Sequence, residues 1–212
     1  MPTPRLGALL WIGCLQYFLA EAVTAFAWGG GYRFGHNYIS DLGALRCEAG
    51  FCSPWHAVMN ISFVAQGFLM IGGAALLRPV IGGGIWPQAA LILTATAGLG
   101  VMGVGLAPED FAPEAHYFSA GINIFSANAA MLCMGMALSA GRPHWLGALG
   151  LTVGTLAMAA FALLAAKIDV GLGVGIVERV AADPFALWLA LLGGVTLRNG
   201  RLHDQWAPLS KL

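Results

Sequence analysis

The chain has 212 residues, of which 58% are hydrophobic and 9% are charged, and its ten basic and ten acidic side chains give a formal net charge of zero. Charged residues make up about 25% of an average soluble domain. The composition therefore excludes a soluble globular protein, which needs more charge to cover its surface. The lack of a basic cluster excludes nucleic acid as a partner, and the lack of a phosphate-binding loop excludes an ATP-driven machine.

Apolar runs near 20 residues recur along the chain, each long enough to cross about 30 Å of hydrocarbon as a helix. We interpret the first run as a retained helix rather than a signal peptide, because Gln16 interrupts it. The prolines after Arg78 and Arg142 predict the ends of the second and fourth spans. The predicted spans are residues 6–28, 55–77, 86–106, 115–138, 145–166 and 183–197.

The predicted fold class is an all-α, polytopic integral membrane six-helix bundle, with residues 1–198 as a single transmembrane domain and 199–212 as a short cytoplasmic tail. One set of connections carries six Lys or Arg residues and the other carries four. The positive-inside rule then predicts that both termini are cytoplasmic and that the chain lies in the cell (inner) membrane.

In this topology, nine of the ten carboxylates fall on the half that faces the periplasm or exterior. Acids contribute little to orientation, so their accumulation predicts a polar site at the outer face. These acids are Glu21, Asp41, Glu48, Glu109, Asp110, Glu114, Asp169, Glu178 and Asp183.

Two cysteines agree with this orientation. Cys47 and Cys52 flank four residues of the first outer loop, where an oxidising compartment allows a disulfide. Cys14 and Cys133 lie within predicted spans and are interpreted as small packing residues.

Polar residues within the spans point to the same face. In the fourth span, His116, Ser119, Asn123 and Ser126 recur at i, i+3, i+7 and i+10, which places them on one stripe of a helix. Hydrogen bonds between helices would explain Ser119, Asn123 and Ser126. His116 opens its span just after several carboxylates, and we expect it to be functional.

The outer loops supply the remaining candidates. Ser40-Asp41 could instead cap a short helix, and Glu178-Arg179 could instead form an ion pair that locks the last hairpin. The candidate catalytic residues are Ser40, Asp41, Glu109, Asp110, Glu178 and Arg179. The candidate ligand-binding residues are His36, Asn37, Asn60, Ser119, Asn123 and Glu21.

The stretch Asn37-Tyr38-Ile39-Ser40-Asp41-Leu42-Gly43, followed by Ser53-Pro54 and Asn60, resembles the domain-of-unknown-function 998 family of six-span bacterial and archaeal membrane proteins. Similar features follow at Pro108-Glu109-Asp110 before His116, and at Glu178-Arg179 before Trp188. The resemblance covers nearly the whole chain and implies a six-span fold with no established activity. It also implies that Ser40, Asp41, His116, Glu178 and Arg179 act as a set.

The first functional hypothesis is a metal-assisted hydrolase that acts on a lipid or small amphiphile. Zinc or another divalent metal takes imidazole and carboxylate ligands and leaves one position for an activated water. His56, His116 and Asp41 are the predicted ligands, with Glu109 or Asp110 as the proton carrier. This hypothesis requires the two imidazoles and at least one carboxylate to converge.

Two other hypotheses remain open. His56 and His116 on facing helices could instead be the axial ligands of a haem in an electron-transfer protein. Alternatively, the chain is a non-catalytic binding, transport or accessory protein with a small-molecule or lipid ligand at its outer face. The glycine-rich third span is compatible with a homo-oligomer in the lipid.

Overall fold

The computed structural model describes residues 3–28, 31–47, 53–139, 144–168 and 170–199. Within these ranges the chain is helical and has no β-strand, which confirms the all-α prediction. Residues Ser40–Gly43 form one turn of 3-10 helix. The α-helices of these ranges are α1 (Thr3–Gly13), α2 (Gln16–Phe26), α3 (His56–Ile81), α4 (Ile85–Leu106), α5 (Pro113–Ser139), α6 (His144–Ala165) and α7 (Val174–Asn199).

Six helical segments in the described part of the chain are long and apolar enough to cross a membrane, which confirms the predicted six-span architecture. Helices α1 and α2 together form the first span, Thr3–Phe26. The join between them is tighter than an α-helix, because the amides of Cys14 and Leu15 donate to carbonyls three residues earlier, at 3.2 and 3.1 Å. The two helices therefore follow each other within one span, and Gln16 opens α2.

The spans form a closed ring. Each of the helices α3 to α6 contacts the next one along the chain, and α1 contacts both α3 and α7. Small residues allow this close approach: a Cβ on Gly100 of α4 would overlap the backbone of Asn123 in α5. The ring thus has an inside, into which polar side chains can turn away from lipid.

The connection after α2 folds back over one end of this ring. We call residues 31–47 the capping loop, and we call the end of the bundle that it covers the loop end. Ile39 and Leu42 of the capping loop are 3% and 0% exposed, so the loop buries apolar side chains between the helices. The opposite end, where α1 begins and α7 stops, is called the tail end.

Glycines at the start of α7 let the capping loop approach it. Gly173 has a φ of +89°, and a Cβ there would overlap the carbonyl oxygen of Gly35. A Cβ on Gly175 would overlap the carbonyl oxygens of Phe34 and Asn37. Only glycine therefore fits where these two backbones meet.

Large apolar side chains fill the tail half of the ring. Trp11, Leu77, Leu138, Leu146 and Leu192 are each at most 3% exposed. The bundle thus has an apolar half toward the tail end and a polar half beneath the capping loop.

Two predicted span boundaries were wrong. The last helix begins at Val174, nine residues before the predicted start at residue 183, and it contains Pro184. Proline is tolerated inside membrane helices when neighbouring groups satisfy the backbone it disturbs. Here the Asn128 side chain of α5 donates to the carbonyl of Ala181 at 3.0 Å. In the second span, likewise, Pro79 lies inside α3, which continues to Ile81.

Candidate functional site

Arg179, in the second turn of α7, joins three elements at the loop end. Its Nε and Nη2 donate to the Glu21 carboxylate of α2 at 3.0 and 2.7 Å, and Nη2 also donates to the Tyr32 hydroxyl at 2.7 Å. The Arg179 and Glu21 side chains are 13% and 8% exposed. The sequence offered an ion pair between Glu178 and Arg179 as one interpretation. In the structure, the carboxylate that pairs with the guanidinium is that of Glu21 instead.

The remaining guanidinium nitrogen of Arg179, Nη1, donates hydrogen bonds to backbone carbonyl oxygens. Nη1 donates to the carbonyl oxygens of Phe34, Asn37 and Gly175 at 2.9, 3.2 and 3.0 Å. The Phe34 ring also lies 4.9 Å from Cζ of Arg179, within range of a cation–π contact. Every nitrogen of this guanidinium is thus occupied by the protein itself.

Other predicted site residues also bind the backbone of the capping loop. The Glu178 carboxylate accepts a hydrogen bond from the Ile39 amide. The Asp110 carboxylate accepts from the amides of Leu45 and Arg46 at 3.1 and 2.7 Å. These carboxylates fix the loop at its middle and at its far end.

The capping loop also accepts hydrogen bonds from Asn60 of α3 and from Ser53, which lies just before α3. Asn60 donates to the carbonyl of Gly43 at 2.9 Å, and the Ser53 hydroxyl donates to the carbonyl of Leu42 at 2.6 Å. Asn60 was predicted to bind a ligand, and in the structure its amide nitrogen is engaged by this loop.

A carboxyl pair lies at the centre of the loop end. Asp41 accepts from the Tyr38 amide at 2.9 Å and from the Asn37 side chain at 3.2 Å, and Ser40 donates to Glu109 at 2.7 Å. Burial and, to a smaller extent, the hydrogen bond to Asp41 together raise the pKa of Glu109 to about 8. Glu109 is therefore protonated at neutral pH and donates to the Asp41 carboxylate.

A cavity of about 70 Å³ lies beneath the capping loop, inside the ring. That volume holds a few water molecules or one small ion. Its polar walls come from α2, α3, α5 and α7 and from the capping loop, while its apolar lining includes Met70 and Ala127. The polar residues that line it are Tyr17, Ser40, Gln66, His116, Asn123 and Glu178.

Hydrogen bonds leave mainly acceptors free in this cavity. The His116 Nδ1 donates to the Ala107 carbonyl at 2.8 Å, so the imidazole is held by backbone at the cavity wall. The Asn123 amide nitrogen donates to the Ala97 carbonyl at 2.9 Å, which leaves its oxygen available. Tyr17 donates to Asp183 at 3.0 Å. The cavity therefore suits a ligand that donates hydrogen bonds.

The expected metal site is not assembled in the part of the chain that the structure describes. Those residues contain no group of three or more His, Cys, Asp or Glu side chains that could hold a metal ion. His116 lines the cavity beneath the capping loop, whereas His56 does not. The Nδ1 atom of His56 is buried and has no hydrogen-bond partner among the described residues. The set of His56, His116 and Asp41 therefore does not fit zinc, which needs convergent ligands.

The structure also locates the other predicted residues. His36 is exposed on the capping loop, and Ser119 packs against Gly103 on the stripe that faces α4. Cys47 is disulfide-bonded. Cys52 lies outside the described residues, so its pairing with Cys47 stays a prediction, as do the roles of Glu48 and Asp169.

Three polar residues of this site were not singled out from the sequence. Tyr32 binds Arg179, Tyr17 binds Asp183, and Gln66 binds Gln16 at 3.2 Å. Gln66 carried a usable signal, because an amide in the middle of an apolar run needs a partner. The two tyrosines carried none, since tyrosine is common near the ends of membrane helices.

Comparison with known proteins identifies the family. The model of a family described as "protein of unknown function (DUF998)" matches residues 11–195, which reach into all six spans. No curated protein and no solved structure matches the chain.

We predict that Arg179→Lys loosens the capping loop. Lysine keeps the charge but lacks the planar fork, and each lost hydrogen bond to a charged group costs about 1.5–3 kcal/mol. Trypsin should therefore cleave after Arg33 and Arg46 roughly tenfold faster, since 1.4 kcal/mol corresponds to tenfold. The exposed Lys167→Arg variant is the control, and equal cleavage rates in both variants would contradict the prediction.

Glu109 should make stability depend on pH. Its pKa is raised from 4.5 to about 8, so the folded state holds an extra proton between these values, and the stabilisation is lost as pH rises through 8. When the pH is raised from 5 to 9, the Tm of the wild type should fall by at least about 2 °C more than the Tm of Glu109→Gln does. For a chain of this size, that difference corresponds to roughly 1 kcal/mol of unfolding free energy. Glu114→Gln, at an exposed carboxylate, should show no such divergence; parallel wild-type and Glu109→Gln curves would refute the assignment.

Proposed function

We propose, for a chain that belongs to the DUF998 family of proteins of unknown function, that it binds a small cation in the cavity beneath the capping loop. The family description states no activity, so the proposal rests on the site. The observation that carries it is an excess of carboxyl groups around the cavity over the cations that could balance them.

The charge count supports this proposal. Glu178 lines the cavity, and the Asp41–Glu109 pair adjoins it through Ser40. Arg179 is the nearest guanidinium, but Glu21 already accepts from it twice. A proton on Glu109 removes one negative charge, and a bound cation would favour and balance the ionised forms of the other carboxyl groups, because buried charges need partners.

The size and hydrogen-bonding character of the cavity narrow the ligand. About 70 Å³ admits an ammonium-sized cation with water and excludes a lipid head group. The Glu178 carboxylate and the free oxygen of Asn123 are acceptors on the cavity wall. An ammonium or methylammonium ion donates hydrogen bonds and therefore fits these walls better than an anion does.

Binding is favoured over transport. The buried side chains Trp11, Leu77, Leu138, Leu146 and Leu192 fill the tail half of the ring, whereas a carrier needs access to its site from both sides. The loop end is proposed to face the exterior, in keeping with the positive-inside rule and with the disulfide at Cys47.

Isothermal titration of the purified full chain with methylammonium chloride at pH 7 tests the proposal. Binding should release protons, because an added cation favours the ionised form of Glu109. Glu178→Gln keeps an oxygen for the Ile39 amide but removes the charge, and should weaken binding at least tenfold. Glu114→Gln should bind as the wild type does.

Two outcomes would count against cation binding. One is the absence of heat and proton release with methylammonium, ammonium and potassium chlorides alike. The other is equal affinity in the wild type and Glu178→Gln, which would show that the carboxylate does not contact the ligand.

A hydrolase without a metal is the second candidate. It is favoured by the Ser40 hydroxyl, which lines the cavity and lies 2.7 Å from Glu109. When ionised, Glu109 could take the serine proton as a general base. His116 lines the same cavity and could carry the proton onward.

Fluorophosphonate labelling tests this second candidate. The wild type should be labelled at Ser40, and faster as pH rises through 8, because the ionised form of Glu109 is then populated. Ser40→Ala should abolish labelling, and Glu109→Gln should remove its pH dependence. Labelling that persists in Ser40→Ala, or none in the wild type, would rule Ser40 out as a nucleophile.

A further inference from the structure

A second, larger hollow lies on the outside of the ring, between α6 and α7. It has a volume of about 500 Å³ and is lined mostly by apolar side chains. One stripe of α7 forms a wall from Ile176 to Leu191, with Leu149 and Val153 of α6 opposite. Leu187 is 52% exposed and Leu149 is 38% exposed, so this groove opens away from the ring, toward lipid.

Asp183 lies in this groove at membrane depth. The span of α7 runs from Val174 to Arg198, and Asp183 is three residues from its midpoint, which is about 4.5 Å along the axis. The side chain is only partly buried. A carboxyl group near the centre of a span is costly and marks a functional site by default.

Pro184 also frees a backbone acceptor one turn earlier in α7. Pro184 has no amide hydrogen, so the carbonyl of Val180 lacks its usual donor within α7. Val180, Asp183 and Pro184 all line the groove. Arg179 also lines it, but its nitrogens are already occupied by Glu21, Tyr32 and the capping loop.

We propose that this groove binds a long-chain amine, with its ammonium group at Asp183 and its chain along α7 toward Leu191. The ammonium group complements the carboxylate in charge and can also donate to the Val180 carbonyl. From Asp183 to Leu191 the wall extends about 12 Å, with Leu187 and Trp188 between them as apolar contacts. A fatty acid would place two carboxylates together, and an alcohol would leave the charge of Asp183 unpaired.

This groove and the cavity beneath the capping loop are separate sites. Their linings share no residue, and one hydrogen bond, from the Tyr17 hydroxyl of the cavity to Asp183 of the groove, connects them. The groove proposal therefore does not depend on the function proposed for the cavity.

Native mass spectrometry of the full chain in a neutral maltoside detergent tests the groove. Dodecylamine should bind to the wild type at least tenfold more tightly than 1-dodecanol or dodecanoate does. Asp183→Asn can still accept from Tyr17 but has no charge, and it should lose this preference. Glu178→Gln should leave dodecylamine binding unchanged, which separates this test from that of the cavity.

A second variant guards against misfolding of Asp183→Asn. Leu187→Trp fills the groove without altering the carboxylate and should prevent dodecylamine binding. Leu156→Trp is the matched control, because Leu156 of α6 is 61% exposed and does not line the groove. Equal binding of the amine and the alcohol, or unchanged amine binding in Asp183→Asn or Leu187→Trp, would overturn the proposal.

Discussion

The buried guanidinium of Arg179 is the constraint on which the loop end depends. A charge at this depth is tolerated only when it is paired and hydrogen-bonded, and Glu21, Tyr32 and three backbone carbonyls together meet that requirement. The same bonds tie α2, α7 and the capping loop to one another. If the guanidinium were lost, Glu21 would be left as an unpaired buried carboxylate, and the loop would lose its attachment to α7.

Because Arg179 is neutralised locally, the acids closer to the cavity must be balanced in another way. The Asp41–Glu109 pair does so by sharing a proton, while Glu178 binds the Ile39 amide and still lines the cavity. The proposed cation site would therefore respond to cations and to pH through the same carboxyl groups. Asp183, in the groove beside α7, is a related case. It accepts a hydrogen bond from Tyr17, but a neutral hydroxyl does not balance the charge of its ionised form.

The site residues illustrate what sequence patterns can and cannot show. The acidic loops and the polar stripe predicted a polar site at one end of the bundle, and Asn123 and His116 both line the cavity there. Their roles were less accessible, because the sequence does not reveal that Asp110 and Asn60 bind loop backbone. Sequence spacing cannot anticipate such bonds, since the donors and acceptors are peptide groups that every residue carries.

The sequence by itself determined the membrane architecture, because hydrophobic length is a local property and each apolar run near 20 residues must span the bilayer as a helix. It also determined that the acids gather at one end. Only the tertiary structure decided the partners: that Arg179 pairs with Glu21, 158 positions away, and that His56 and His116 do not share a site. Ring closure between α1 and α7 and the folding of the capping loop over that ring bring distant residues together, and neither leaves a periodic signal in the chain.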